Sequence, residues 1–284
     1  MERLSLILEF KKGFFNRGGK MKSERQLGLR KGIERIPYYE PGRPIEEIQR
    51  EYGLKKVIKL ASNEKPLGPS PLAIEAVRQF LSHLNLYPDS HSRDLRKRIS
   101  QKIGVDPDKI IVGNGSAEII RLVAEAYINP GEKAIFGWPS FLVYERAVYI
   151  VQGEAVRVPT KDYGLDLVAM AGKVDDNTRV VFLANPNNPT GTLFREPQLK
   201  KFLDLLPENI LVVIDEAYYE YVDEPDYPNS LDYVKEGRNV IVLRTFSKIY
   251  GLAGLRIGYG IARPEIISAL NRVCLLYTSP SPRD

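Results

Sequence analysis

Between residues 110 and 273, short β-branched runs alternate with amphipathic stretches of helix length, and this alternation constrains the fold more than any other feature. The candidate strands are Ile110–Val112, Lys133–Phe136, Ala155–Val158, Val180–Ala184, Ile210–Ile214, Val240–Leu243 and Ile257–Ile261. Helices are predicted between most of them, at Ala117–Tyr127, Phe141–Val151, Glu196–Leu206 and Pro264–Val273. The strand candidates do not alternate polar with apolar residues, as a strand wet on one face would. Apolar strands separated by helices imply an α/β chain with a mostly parallel central sheet flanked by helices on both faces. Ligands of such sheets bind beyond the carboxyl ends of the strands.

Upstream of this block, Ile36 to Pro71 is rich in turn formers (Pro37, Pro41-Gly42, Pro44, Pro66, Gly68-Pro69) and reads as an extended arm with one short helix around Ile45 to Tyr52. A helix over Leu72 to Leu84 comes next. The net charge of +5 hints at nucleic acid until it is located. Residues 1–35 hold ten Lys or Arg against four Glu, so the remainder carries 31 basic and 32 acidic residues. The basicity belongs to the amino-terminal segment, which argues against a nucleic-acid partner. No apolar run is long enough to span a membrane. A single cysteine, Cys274, excludes an internal disulfide and fits a reducing compartment such as the cytoplasm. His83 and His91 lie at ligand spacing neither from each other nor from Cys274, so no metal is expected.

Four motifs fall at predicted strand ends: GNGSAE at 113–118, NPNNPTG at 185–191, DEAYYEY at 215–221 and TFSKIYGLAGLRIGY at 245–259. Singly, each has a plain structural reading. Asparagine and glycine mark turns, Asp215 can cap the turn behind its strand, and lysines such as Lys248 are usually solvated. Tyr218 sits among Tyr219 and Tyr221 and can be core, as can Phe141. Gly115-Ser116-Ala117 opens a helix after a strand, where free N–H groups and the positive helix end suit an anion.

Together the motifs resemble the aspartate-aminotransferase superfamily of fold type I, and more closely its histidinol-phosphate aminotransferase family. The stretches KGIERIPYYEPGRPIEEIQREYG and ASNEKPLGPSP strengthen the closer match, and the resemblance runs from about Gly32 to Val273. It implies pyridoxal 5′-phosphate as cofactor, held by Lys248, whose amine also shuttles the substrate Cα proton. By the same resemblance Asp215 pairs with the protonated ring nitrogen, and Tyr218 and Asn188 hydrogen-bond the phenolic oxygen. The phosphate falls to Gly115, Ser116, Ala117, Thr245, Ser247 and Arg256, the last able to offer two parallel N–H donors. Phe141 corresponds to the aromatic that stacks on the cofactor ring. Tyr87 matches a residue reaching the phosphate of the neighbouring subunit, which implies a homodimer. Asn63 and Glu64 match the substrate-side loop.

The implied reaction takes a small-molecule amino donor and a 2-oxo acid: L-histidinol phosphate and 2-oxoglutarate give imidazole acetol phosphate and glutamate, a step of histidine biosynthesis. An aromatic-amino-acid aminotransferase or a threonine-phosphate decarboxylase would share every motif, and an inactive cofactor-binding fragment is the reading from another class. The family's carboxyl-terminal lobe has no counterpart here, so the small domain is expected to be incomplete. The implied organisation is a doubtful extension over 1–20, an arm and part of the small domain over 21–71, a cofactor-binding domain over 72–273, and a tail over 274–284 that reads as non-native.

Overall fold

The computed structural model describes residues 28–36 and 42–274; the expectations placed on residues 1–20, on Pro37 and Pro41, and on 275–284 lie outside the described residues. The chain divides into two compact units, Met1–Lys31 and Gly32–Asp284, and the second holds the whole sheet. Seven strands form it: β1 (Ile110–Gly113), β2 (Lys133–Trp138), β3 (Glu154–Pro159), β4 (Thr178–Ala184), β5 (Leu211–Asp215), β6 (Val240–Thr245) and β7 (Gly258–Ile261). Their order is β1-β7-β6-β5-β4-β2-β3. All neighbours pair in parallel except β7, which is antiparallel to both β1 and β6. The seven predicted strands are all present, each within a residue or two of its expected ends.

The helices are α1 (Ile45–Tyr52), α2 (Pro71–Phe80), α3 (Arg93–Ile103), α4 (Ser116–Tyr127), α5 (Val143–Ile150), α6 (Leu167–Ala171), α7 (Glu196–Leu205), α8 (Ser230–Lys235) and α9 (Pro264–Val273). Successive strand residues face opposite sides of the sheet, and outside the edge strand β3 both sides are largely buried. On one side Ile111, Phe136, Phe182, Val213 and Ile241 pack with α4, α5 and α9. On the other, Ile110, Ile135, Val181, Ile214 and Val242 pack with α3, α6, α7 and α8. Burial on both faces is why the strands read as unbroken apolar runs.

Three details depart from expectation. The helix after Pro71 ends at Phe80 and continues only as a tight 3-10 turn over Leu81–His83. Ser70 caps its start by accepting the Ala73 N–H at 3.2 Å. Helix α5 begins at Val143, so Phe141 stands on its lead-in instead of its first turn. Helices α3, α6 and α8 had no predicted counterpart. Only Ile99 is buried in α3, and the other two have five and six residues, too few to show a helical period.

Candidate active site

The carboxyl ends of β1, β4, β5 and β6 and the amino end of β7 meet at one edge of the sheet. Register makes this convergence: Ala184 pairs with Asp215, Asp215 with Leu243, and Gly258 with both Gly113 and Thr245. A cavity of about 410 Å³ opens there, lined by Gly115, Ser116, Ala117, Phe141, Tyr144, Asn188, Asp215, Tyr218, Thr245, Ser247, Lys248 and Arg256, with Ser62 and Glu64 at its rim.

Asp215 lies at its floor, 5% exposed. One carboxylate oxygen accepts the Tyr144 hydroxyl at 2.9 Å and the other the Ala217 N–H at 3.2 Å. Burial raises its pKa to about 6, against the pull of those two bonds and of the Lys248 charge. Tyr144 is fully buried, stacked on Phe182 (4.9 Å between centroids, 9° between planes) and met edge-on by Phe141 at 5.7 Å. Behind this floor Arg244 and Glu216 form a buried ion pair at 2.8 Å, with the guanidinium 3.7 Å above the Tyr219 ring. That pair ties the turn after β5 to β6.

Lys248 follows β6 and is half-buried. Its ammonium donates to the Ser62 carbonyl at 3.1 Å and lies 5.5 Å from the Tyr218 ring centre. Burial lowers its pKa, countered by Glu64 and Asp215 and assisted by Arg256. The loop that meets it is unusual: Ser62 and Asn63 both have positive φ, at 72° and 50°. Asn63 donates from its side chain to the Tyr218 hydroxyl at 2.9 Å. The loop can come this close because Gly251 lacks a side chain. A Cβ there would stand 2.6 Å from the Gly68 carbonyl oxygen, at a φ of +67°.

The opposite end of the cavity is built for an anion. The first N–H groups of α4, at Ser116 and Ala117, have no carbonyl a turn earlier to receive them. Arg256, held at a φ of 55°, brings its guanidinium against Gly115, where a Cβ would lie 2.9 Å from Nη2. A Cβ on Gly258 would sit 2.4 Å from the Ser116 nitrogen. These two glycines let a helix start, a strand start and an arginine share one spot. Thr245 and Ser247 complete it, the Thr245 hydroxyl donating to Ser247 Oγ at 3.0 Å.

The side wall is set by the NPNNPTG turn. Asn187 is buried, accepts the Ser140 hydroxyl at 2.7 Å and donates to the Pro139 carbonyl at 3.1 Å, locking the turn that carries Asn188 to the segment that carries Phe141.

The structure thus brings together eleven of the residues singled out from sequence, with Glu64 at the rim and Asn63 bonded to Tyr218. Tyr87 stands apart, 93% exposed and outside the cavity lining. The residue that sequence reasoning missed is Tyr144, an apolar-face position of an aromatic-rich helix with nothing in the local pattern to set it apart. Among the described residues no group of His, Cys, Asp or Glu could hold a metal ion, and no helix is long and apolar enough to cross a membrane.

Residues 55–283 match the family model described as aminotransferase class I and II. The histidinol-phosphate aminotransferase of Moorella thermoacetica is 53% identical over 245 residues, which are 86% of this chain and 64% of that protein. The enzyme of the same name from Caldicellulosiruptor saccharolyticus is 48% identical over 86% of this chain and 68% of its own length. Among solved structures, histidinol-phosphate aminotransferase from Sinorhizobium meliloti, crystallised with pyridoxal 5′-phosphate, superposes with a TM-score of 0.78 at 30% identity, covering 86% of this chain and 66% of that one. The chain therefore spans about two thirds of the length of these relatives. With the fold, the strand-end cavity and these identities in agreement, the chain belongs to the class I and II aminotransferases and, within them, to the histidinol-phosphate aminotransferase family.

Proposed function

We propose that this chain holds pyridoxal 5′-phosphate on Lys248 and serves amino transfer from L-histidinol phosphate to 2-oxoglutarate, giving imidazole acetol phosphate and glutamate. One observation carries the reading: a half-buried lysine, a buried carboxylate and an anion cradle share one cavity. The donor set fits the cofactor. Among the described residues Asp215 is bonded by a phenol and a backbone N–H, both neutral, so its charge suits a cationic ring nitrogen. Gly115 and Gly258 let the start of α4 and the Arg256 guanidinium, the donors a phosphate needs, stand side by side.

Pyridoxal phosphate, when bound, supplies an aldehyde carbon that takes up an amine and a ring that delocalises the electron pair left when a Cα proton departs. The chain's residues do the rest. Lys248, its pKa lowered by burial, would carry the substrate Cα proton on Nζ. Asp215 holds the ring end by charge. Tyr218 and Asn188 would hold the phenolic oxygen, and Phe141 would pack on the ring. Ser116, Ala117, Thr245, Ser247, Arg256 and the Gly115 backbone hold the phosphate and so fix the register of the whole ligand. Asn63 and Glu64 stand on the substrate side, joined to the site through Tyr218 and near Lys248.

In this reading residues 72–273 are the cofactor domain, and 21–71 the arm and part of the small domain. The working form is a cytoplasmic homodimer in which Tyr87 serves the neighbouring site. The dimer is supported by the 93% exposure of Tyr87 and by α2, an amphipathic helix with no buried residue.

The test is to add pyridoxal phosphate, reduce with borohydride, digest and locate the modified peptide by mass spectrometry. The expected product is a phosphopyridoxyl group on Lys248, lost in Lys248→Ala. Label scattered over surface lysines would overturn the reading. Activity confined to phenylalanine or tyrosine would overturn the substrate alone.

A further inference from the structure

Two features of Tyr144 set it apart from an ordinary core aromatic. Its hydroxyl is spent entirely on one oxygen of Asp215, at 2.9 Å, in a place where no part of its ring is exposed. Its ring is held on three sides, by Phe182 stacked at 4.9 Å, Phe141 edge-on at 5.7 Å and Phe136 tilted at 6.3 Å. The hydroxyl oxygen is therefore held in place beside Asp215. The phenol is also permanently a donor, because burial and the adjacent Asp215 hold its own pKa well above the ordinary tyrosine value.

We propose that Tyr144 is a positioning residue for Asp215: its phenol clamps one carboxylate oxygen and maintains that carboxylate as the anion that faces the cofactor ring. The clamp works with the Ala217 N–H on the other oxygen, so the carboxylate plane is fixed by one donor from α5 and one from the turn after β5. The ionisable groups acting on Asp215 from the elements around it are Tyr144 itself, Lys248 after β6, and Tyr218 and Tyr227 beyond β5. Of these only Tyr144 bonds it directly. Lys248 acts through space and is the group the proposed chemistry occupies, so the fixed share of the stabilisation falls to the tyrosine, with the Ala217 N–H second.

A hydrogen bond favours the charged form of a carboxylate that accepts it. Against the burial that raises Asp215 to about 6, the Tyr144 bond is the first of the forces pulling it down. Removing it moves Asp215 towards neutral pH. A protonated Asp215 can no longer hold a cationic ring nitrogen by charge. The consequence for cofactor binding rests on the function proposed above, whereas the Tyr144–Asp215 coupling stands without it.

The coupling is measured on the cofactor-free protein labelled with carbon-13 at aspartate carboxyls, the Asp215 signal being the one missing in Asp215→Asn. The expected midpoint is about 6 in the unaltered chain, and Tyr144→Phe raises it by roughly 1–2 units. Site-specific 3-fluorotyrosine at position 144, a stronger donor of the same shape, moves the midpoint down. The acid limb of pyridoxal phosphate affinity shifts in the same direction. A Tyr144→Phe chain that keeps its thermal transition and its midpoint to within about 0.3 units overturns the proposal. Should that variant not fold, an unmoved midpoint with 3-fluorotyrosine overturns it instead. The two readings fail separately: a shifted midpoint with no label on Lys248 removes the cofactor and keeps the coupling, and a labelled Lys248 with an unmoved midpoint does the reverse.

Discussion

Asp215 shows what the proposed chemistry costs at a single side chain. Raising its pKa from 3.8 to about 6 means that the folded chain prefers the protonated acid, an effect of about 3 kcal/mol once the carboxyl must ionise. The direction of the shift fixes the sign. Stability from this group is complete below pH 3.8, falls as pH rises and is gone above about 6. Asp215→Asn removes the ionisation but leaves one acceptor oxygen for two donors, the Tyr144 hydroxyl and the Ala217 N–H, at a cost of about 1 kcal/mol. In thermal or urea unfolding without cofactor, Asp215→Asn should therefore be the more stable protein at pH 8, by about 2 kcal/mol. The advantage should fade between pH 6 and pH 4; equal stability at pH 8 would refute the account. The same variant should lose pyridoxal phosphate affinity, a trade of function against stability. That Lys248, Asp215, Asn188 and Arg256 meet in one cavity was legible in the sequence because each stands in a short motif at a strand end. Tyr144 was not, because its role lies in a contact with a residue 71 positions away, and its helix looks like any buried one.

Elements place these groups, and β7 does so in an unexpected way. Its reversal puts the start of a strand at the ligand edge, where every neighbour presents its end. Gly258 can then lie against Ser116 and Gly115 at distances no Cβ tolerates. Gly258→Ala should push α4 away from Arg256 and destabilise the fold by about 1–3 kcal/mol, the usual cost of an overpacked site. Cofactor affinity, monitored by absorbance titration, should weaken at least about tenfold, since a loss of 1.4 kcal/mol suffices. Unchanged affinity would mean that the cradle does not bear on the phosphate. The strands themselves were readable because both faces of the sheet are buried. The direction of β7 was not, since a Gly-Tyr-Gly-Ile strand looks alike in either sense. The basic α3 escaped notice because one buried residue, Ile99, leaves no apolar stripe.

At the scale of the molecule, the conspicuous property is apolar surface that this chain leaves uncovered. Leu60, Leu67, Leu72, Phe80, Leu84 and Leu86 are all more than half exposed, as is Tyr87. Residues of this kind normally meet a partner. Sedimentation of the chain at micromolar concentration should give a dimer, and Leu72→Asp with Leu84→Asp a monomer with unchanged helix content. A monomeric parent chain would refute the assignment of this surface to a second copy. The sheet order carries a further consequence, for synthesis. Gly115 leaves the ribosome long before Arg256 and Gly258, yet the three make one cradle, and Val112 finds its partner only in Tyr259. Such distant pairings form late. A nascent chain accordingly has nothing to offer the vitamin until β7 has docked. Because a ligand stabilises only the state that binds it, a shortage of that vitamin would lower the stability of the folded chain as well as leave its cradle empty.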